Sequence, residues 1–122
     1  MKYYSFEKLE IWKLSIDLGV SIYAFTQKLP TEEKFGLVSQ LKRASSSIST
    51  NISEGVSRFT DKEKSRFIEI SYGSTIEVLS HLLFAHALGF IEEQELNSFR
   101  LKINELTNKL NAFYIQLNKK DD

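Results

Sequence analysis

The stretch Gln40-Leu41-Lys42-Arg43-Ala44-Ser45-Ser46-Ser47-Ile48-Ser49-Thr50-Asn51-Ile52-Ser53-Glu54-Gly55 carries two stripes at helical spacing rather than one. Together with Leu37 upstream, Leu41, Ala44, Ile48 and Ile52 recur at steps of three and four, the spacing of an apolar helix face. Gln40, Arg43, Ser47, Asn51 and Glu54, continued by Arg58, recur at the same steps and are polar. A polar stripe bordering an apolar one is either a solvated face or a network that fixes how two helices dock. From Ala44 to Thr50 the side chains are mostly small, with hydroxyls at Ser45, Ser46, Ser47, Ser49 and Thr50. Serine is a mediocre helix former because its hydroxyl competes for backbone groups. A run of serines inside a helix makes sense where a neighbouring helix must approach closely. A flexible serine linker, the other reading, would not hold Leu41, Ile48 and Ile52 at helical spacing.

Outward from this stretch the chain reads as three more helices. The first is expected over residues 6–29, stopped by Pro30. It has two apolar stripes: Ile11, Leu14, Leu18, Ile22, Phe25 and Leu29 form one; Leu9, Trp12, Ile16, Gly19 or Val20, and Tyr23 form the other. One stripe suffices for a helix lying on a core, so two predict burial on two sides, the second against another subunit. The second helix is expected over 32–54, capped by Thr31, with Glu32 and Glu33 in its first turn and Gly55 closing it. Thr60-Asp61-Lys62-Glu63 is a capping-box pattern that opens a third helix over 61–88, with Gly89 after it. Its apolar residues Phe67, Ile68, Tyr72, Ile76, Leu79, Leu82, Leu83 and Phe84 cover more than one face. Gly73 and Ser74 lie mid-helix, where glycine costs about 1 kcal/mol relative to alanine. Close packing against the small residues of the second helix is the expected offset. The fourth helix, 92–119, has a heptad seam in Leu96, Phe99, Ile103, Leu106, Leu110, Phe113 and Leu117. Lys119-Lys120-Asp121-Asp122 is expected to fray. Four long helices with short connections and no strand pattern predict one domain over 1–122, an all-α antiparallel up-and-down four-helix bundle.

Composition narrows the function. The chain has 122 residues, 42% hydrophobic and 26% charged, with one proline and five glycines. No cysteine is present, which excludes disulfides, thiolate metal sites and cysteine catalysis. The N-terminus lacks an apolar signal region, and the longest near-apolar run, Leu82 to Ile91, is too short for a membrane. A cytoplasmic protein with no membrane partner is expected. Net charge is zero, yet residues 42–66 hold six basic groups against three acidic ones. Residues 67–99 hold five glutamates and neither Lys nor Arg. His81 and His86 are five apart and share no helix face, and Glu77 and His81 do not have di-iron spacing. The serines lack a nucleophile-elbow context. No enzyme, metal, cofactor or small-molecule substrate is expected.

A family resemblance runs along nearly the whole chain. Gln40-Leu41-Lys42-Arg43-Ala44, Ser47-Ile48, Asn51-Ile52-Ser53-Glu54-Gly55 and Arg58 carry it, with Gly73-Ser74-Thr75-Ile76-Glu77 and Ala87-Leu88-Gly89-Phe90-Ile91. So do the opening Phe6-Glu7-Lys8-Leu9-Glu10-Ile11-Trp12-Lys13 and Phe35-Gly36-Leu37. Together they resemble the bacterial four-helix bundle proteins of the 23S rRNA intervening-sequence family. Ser53 departs from the family's usual alanine. The resemblance implies a ring-like homopentamer, a link to reading frames inserted in ribosomal RNA genes, and similarity to the nucleic-acid-binding accessory protein of diversity-generating retroelements. It implies no enzymatic activity.

Two sets of residues follow as candidates. Arg43, Asn51, Glu54 and Glu77 are expected to form a structural polar network, Glu77 pairing with Arg43 while Asn51 and Glu54 bridge helix ends; a ligand site is the competing reading. Arg58, Lys62, Lys64 and Arg66 are the candidates for phosphate contacts, with a solvated helix start as the alternative. The expected function is a non-enzymatic homo-oligomeric module that binds RNA or DNA. The alternative is a protein–protein scaffold or adaptor without nucleic-acid binding.

Overall fold

A computed structural model of the chain describes residues 1–119, and within them every regular element is helical. Helices α1 (Glu10–Thr26), α2 (Leu37–Val56), α3 (Asp61–Ala87) and α4 (Glu93–Leu117) are joined by short turns. Short 3-10 segments, Ser5–Lys8 and Thr31–Glu33, precede α1 and α2. The fraying expected of residues 120–122 lies outside the described residues.

Side-chain pairs fix the helix directions. Glu10 accepts from Lys109 at 2.5 Å, Asp17 from Lys102 at 2.5 Å and Glu95 from Lys28 at 2.9 Å, so numbers rise along α1 as they fall along α4. Between α2 and α3 the order is also inverse: Arg43 with Glu77, Ser47 with Ser74, Ile48 with Ser71. Neighbours therefore run antiparallel, and α1 packs back on α4 to close a four-helix bundle. The ion pairs between α1 and α4 are exposed to water and salt, so they contribute too little to choose the fold. The core chooses it. Leu18, Ile22 and Phe25 meet Leu41, Ile48, Ile52, Ile68, Val78, Leu82, Ile103, Leu106 and Leu110, all nearly inaccessible to solvent. Burying each such side chain contributes about 1.5–3 kcal/mol. The α4 seam lies in this core, with Phe113 and Leu117 half-buried at its end.

Helix boundaries depart from expectation at two starts, and α1 also ends at Thr26 rather than residue 29, its last turn opening out before Pro30. The first helix begins at Glu10 rather than residue 6, because Leu9 is extended (φ −72°, ψ 133°). The Glu7 carboxylate accepts the Tyr4 amide at 2.7 Å, and Phe6 meets Trp12 edge-to-face at 5.3 Å, so the segment folds into its own short turn. The second helix begins at Leu37 rather than residue 32. Gly36 at φ −109°, ψ −110° breaks the path, and Thr31 forms no side-chain cap. Glu33 caps instead, its carboxylate accepting the Leu37 amide at 3.3 Å.

The glycines sort by what surrounds them. Gly89 has φ +80° and ends α3, with its own amide on the His86 carbonyl at 3.0 Å and that of Phe90 on Ala85 at 2.9 Å. Gly55 does not end α2, which continues to Val56. A Cβ at Gly55 would stand 2.6 Å from the Phe67 Cβ, so glycine is there to let α3 come close. Gly73 reverses the expectation that it packs on α2: nothing lies within 4 Å of where its Cβ would be. Ser71 and Ser74 make the close contact instead. Ser71 Oγ donates to the Ile48 carbonyl at 3.0 Å, and the Ser47 and Ser74 hydroxyls meet at 3.0 Å.

The second apolar stripes are covered only in part within one subunit: Leu9, Trp12 and Leu79 are half-buried against the core, and the rest of each stripe is wet. Ile16, Val20 and Tyr23 are exposed on α1, as are Tyr72, Ile76, Leu83 and Phe84 on α3. Gly19 sits inside the α1 stripe, again with nothing within 4 Å of a would-be Cβ.

Candidate functional site

The polar stripe of α2 faces α3. Arg43 donates to Gln40 at 2.9 Å and to Glu77, and Glu77 also bonds His81 Nε2 at 3.1 Å. Glu77 is half-buried, its side chain 34% exposed. Burial pushes its carboxyl upward, but the His81 bond and the Arg43 guanidinium outweigh that and hold it below its ordinary 4.5. Asn51 turns inward on its own helix: its amide donates to the Ser47 carbonyl at 2.8 Å and to Ser47 Oγ at 3.0 Å. It reaches α3 only through the Ser47–Ser74 contact, not by bridging helix ends. Glu54 is exposed, and among the described residues no side-chain bond ties it to α3. His81 is the member that the sequence reading set aside as a failed metal ligand. Its i, i+4 spacing from Glu77 was the available signal for a hydrogen bond. No group of three or more metal-ligating side chains occurs among the described residues.

The basic residues gather at the opposite end of α2, where the chain turns into α3. Thr60 caps α3 by accepting the Glu63 amide at 3.2 Å, which sets the register of the residues that follow. Lys62 and Arg66 are four apart and both exposed, on one side of α3. Lys64 falls on the far side and is half-buried, so it does not join them. Phe67 organises the cluster. The Arg58 guanidinium lies over its ring at 4.5 Å and that of Arg66 at 5.5 Å. Each such contact is worth about 0.5–1 kcal/mol at an exposed site, enough to bias two long side chains toward one place. Arg66 also faces Glu63 at 3.6 Å yet remains 63% exposed. Gly55 contributes indirectly, because its missing side chain is what admits Phe67. Phe67 reads in sequence as one more apolar residue. Nothing local reveals that Arg58, nine positions earlier, comes back to it across a turn.

Beside this cluster, Phe59 stands at the turn fully exposed. Tyr3 and Tyr4 are exposed at the same end, since the Ser5–Lys8 segment packs on α1 and α2. No helix of the described residues is long and apolar enough to cross a membrane.

Comparison with known proteins agrees with this architecture. A crystal structure from Bacteroides thetaiotaomicron, of a protein of unknown function from the S23 ribosomal protein family, superposes with a TM-score of 0.79 at 20% identity. The match covers 85% of this chain and 97% of that one and shows a shared fold. No curated protein matches. The family model for the 23S rRNA-intervening sequence protein matches residues 7–112, which takes in α1, α2 and α3 whole and most of α4. The chain belongs to the 23S rRNA-intervening sequence protein family.

Proposed function

We propose that the protein is a non-enzymatic RNA-binding module that works as a ring of identical subunits, five as the family resemblance implies, in the cytoplasm. The observation that carries the RNA reading is the convergence of Arg58 and Arg66 on Phe67, beside Lys62, at one exposed end of the bundle. Arginine forks suit phosphate oxygens, and side chains already ordered on a ring lose less entropy on binding. Three cations are a weak site alone. Cyclic symmetry brings every copy of Arg58 to one height on the ring axis, so a strand crossing that face meets the cluster repeatedly. The Arg43–Glu77–His81 group is assigned to docking α3 on α2 in register, not to a ligand.

Assembly is proposed on separate grounds. The α1 stripe borders a groove of about 330 Å³ lined by Ile16, Gly19, Val20, Tyr23, Ser45 and Ser49. The α3 stripe lies on a different helix, and a ring requires two such different surfaces to pair head to tail. The same apolar surface suits a scaffold that binds another protein, and the RNA experiment separates the two. Labelled RNA is titrated with the protein from low to physiological salt. Binding should weaken linearly on logarithmic axes, and Arg58→Ala should reduce the slope by about 0.7, the share of one phosphate contact on a single strand. No binding at the lowest salt refutes the RNA reading.

A further inference from the structure

The fold makes no use of Phe59. Its ring is as exposed as in an unfolded chain, at 102%, in the turn between Val56 and Asp61. Thr60, not Phe59, caps α3, and the turn contains no positive-φ residue that would restrict what occupies it. A polar residue would serve the backbone equally and spare the protein a wet phenyl group. The ring sits next to Arg58, whose guanidinium is held against Phe67 at 4.5 Å, and one turn from Lys62. Tyr3 and Tyr4, 66% and 56% exposed, present two more aromatic faces at this end, with the Lys2 ammonium 4.9 Å from the Tyr4 ring.

We infer that this end binds single-stranded rather than duplex nucleic acid, with an unpaired base stacked on Phe59 and neighbouring phosphates on Arg58, Lys62 and Arg66. This rests on the RNA reading above and adds the form of the strand. In a duplex the base faces are already stacked on each other, and the major groove of A-form RNA is too narrow for side chains to read. A splayed strand offers its base faces to any exposed ring, and every base has one, so contact needs no particular sequence. The carboxylates nearby favour a strand over a lipid surface, the other anionic partner that suits an aromatic among cations. Asp61 and Glu63 are exposed in the first turn of α3 and would be pressed against an anionic bilayer, whereas a flexible strand passes beside them.

The test uses fluorescence anisotropy with a labelled single-stranded RNA, the same RNA annealed to its complement, and phosphatidylserine vesicles. Wild type, Phe59→Ala and Phe59→Trp are compared at low salt, and circular dichroism verifies that each variant folds. Wild type should prefer the single strand. Phe59→Ala should weaken that binding by on the order of tenfold, within the range of one lost base stack, and leave duplex binding unchanged. Phe59→Trp should keep single-strand affinity, because the indole offers an equal or larger stacking face. Equal binding of both RNA forms, indifferent to Phe59→Ala, overturns the stacking assignment and leaves the RNA reading intact. Absence of binding to either RNA overturns both, and Phe59-dependent binding to vesicles in that case assigns the end to a membrane surface.

Discussion

Replacing Gly55 by alanine adds one methyl group where α2 meets Phe67. Its carbon would lie 2.6 Å from the Phe67 Cβ, against an ordinary contact of 3.4–4 Å. Both atoms are anchored to backbone, so no side-chain rotation relieves the overlap, and α2 and α3 must part by roughly 1 Å. Overpacking of this kind costs about 1–3 kcal/mol. Alanine returns about 1 kcal/mol over glycine inside a helix. The net expectation is a loss of about 1 kcal/mol, with the sign set by the clash. Urea unfolding followed by far-ultraviolet circular dichroism, at one protein concentration, reads it directly. With a urea slope of about 1–3 kcal/mol/M, the midpoint should fall by roughly 0.3–1 M. A midpoint above that of wild type would show that helix propensity outweighs contact, and would refute the claim that Gly55 exists to admit Phe67.

Gly73→Ala is the counterpart. With nothing within 4 Å, the methyl should stabilise an isolated subunit by about 1 kcal/mol, but if α3 docks on another copy it should weaken assembly. Light scattering should show wild type as an oligomer that the variant loses at lower dilution; a wild-type monomer would refute the account of the second apolar stripes. The Arg43–Glu77 pair should depend on pH. Glu77 is held below its ordinary 4.5 in the folded state, so its contribution is present above that value and lost as pH falls through the folded pKa. Arg43→Ala should cost about 0.5 kcal/mol at neutral pH, discounted for exposure, and progressively less in acid well below the ordinary carboxylate range; an equal cost at both would refute the pairing. Urea midpoints at the two pH values measure it.

The four helices were legible because their evidence is local. The α4 seam, the Thr60 cap and the turn at Gly89 depend on residues within a few positions of one another, and spacing along a helix translates directly into a face. The two apolar stripes of α1 and α3 were legible for the same reason, and the pairing of Arg43 with Glu77 was among the expectations. What the sequence could not decide was how each helix is rotated and how near it comes to its neighbour. That depends on volumes filled from several chain segments at once. Gly55 and Gly73 are alike in sequence terms, each a glycine in or beside a helix, yet one meets a ring at 2.6 Å and the other meets open space. The starts of α1 and α2 moved because Glu7 and Glu33 found nearby amides, an outcome settled by geometry at Leu9 and Gly36. The candidate site shows the division most clearly. Arg58, Lys62 and Arg66 were visible as a mildly basic run, together with Lys64, which the fold places on the other side of α3. Only packing across the turn brought Arg58 and Arg66 onto one aromatic ring and left Phe59 in water.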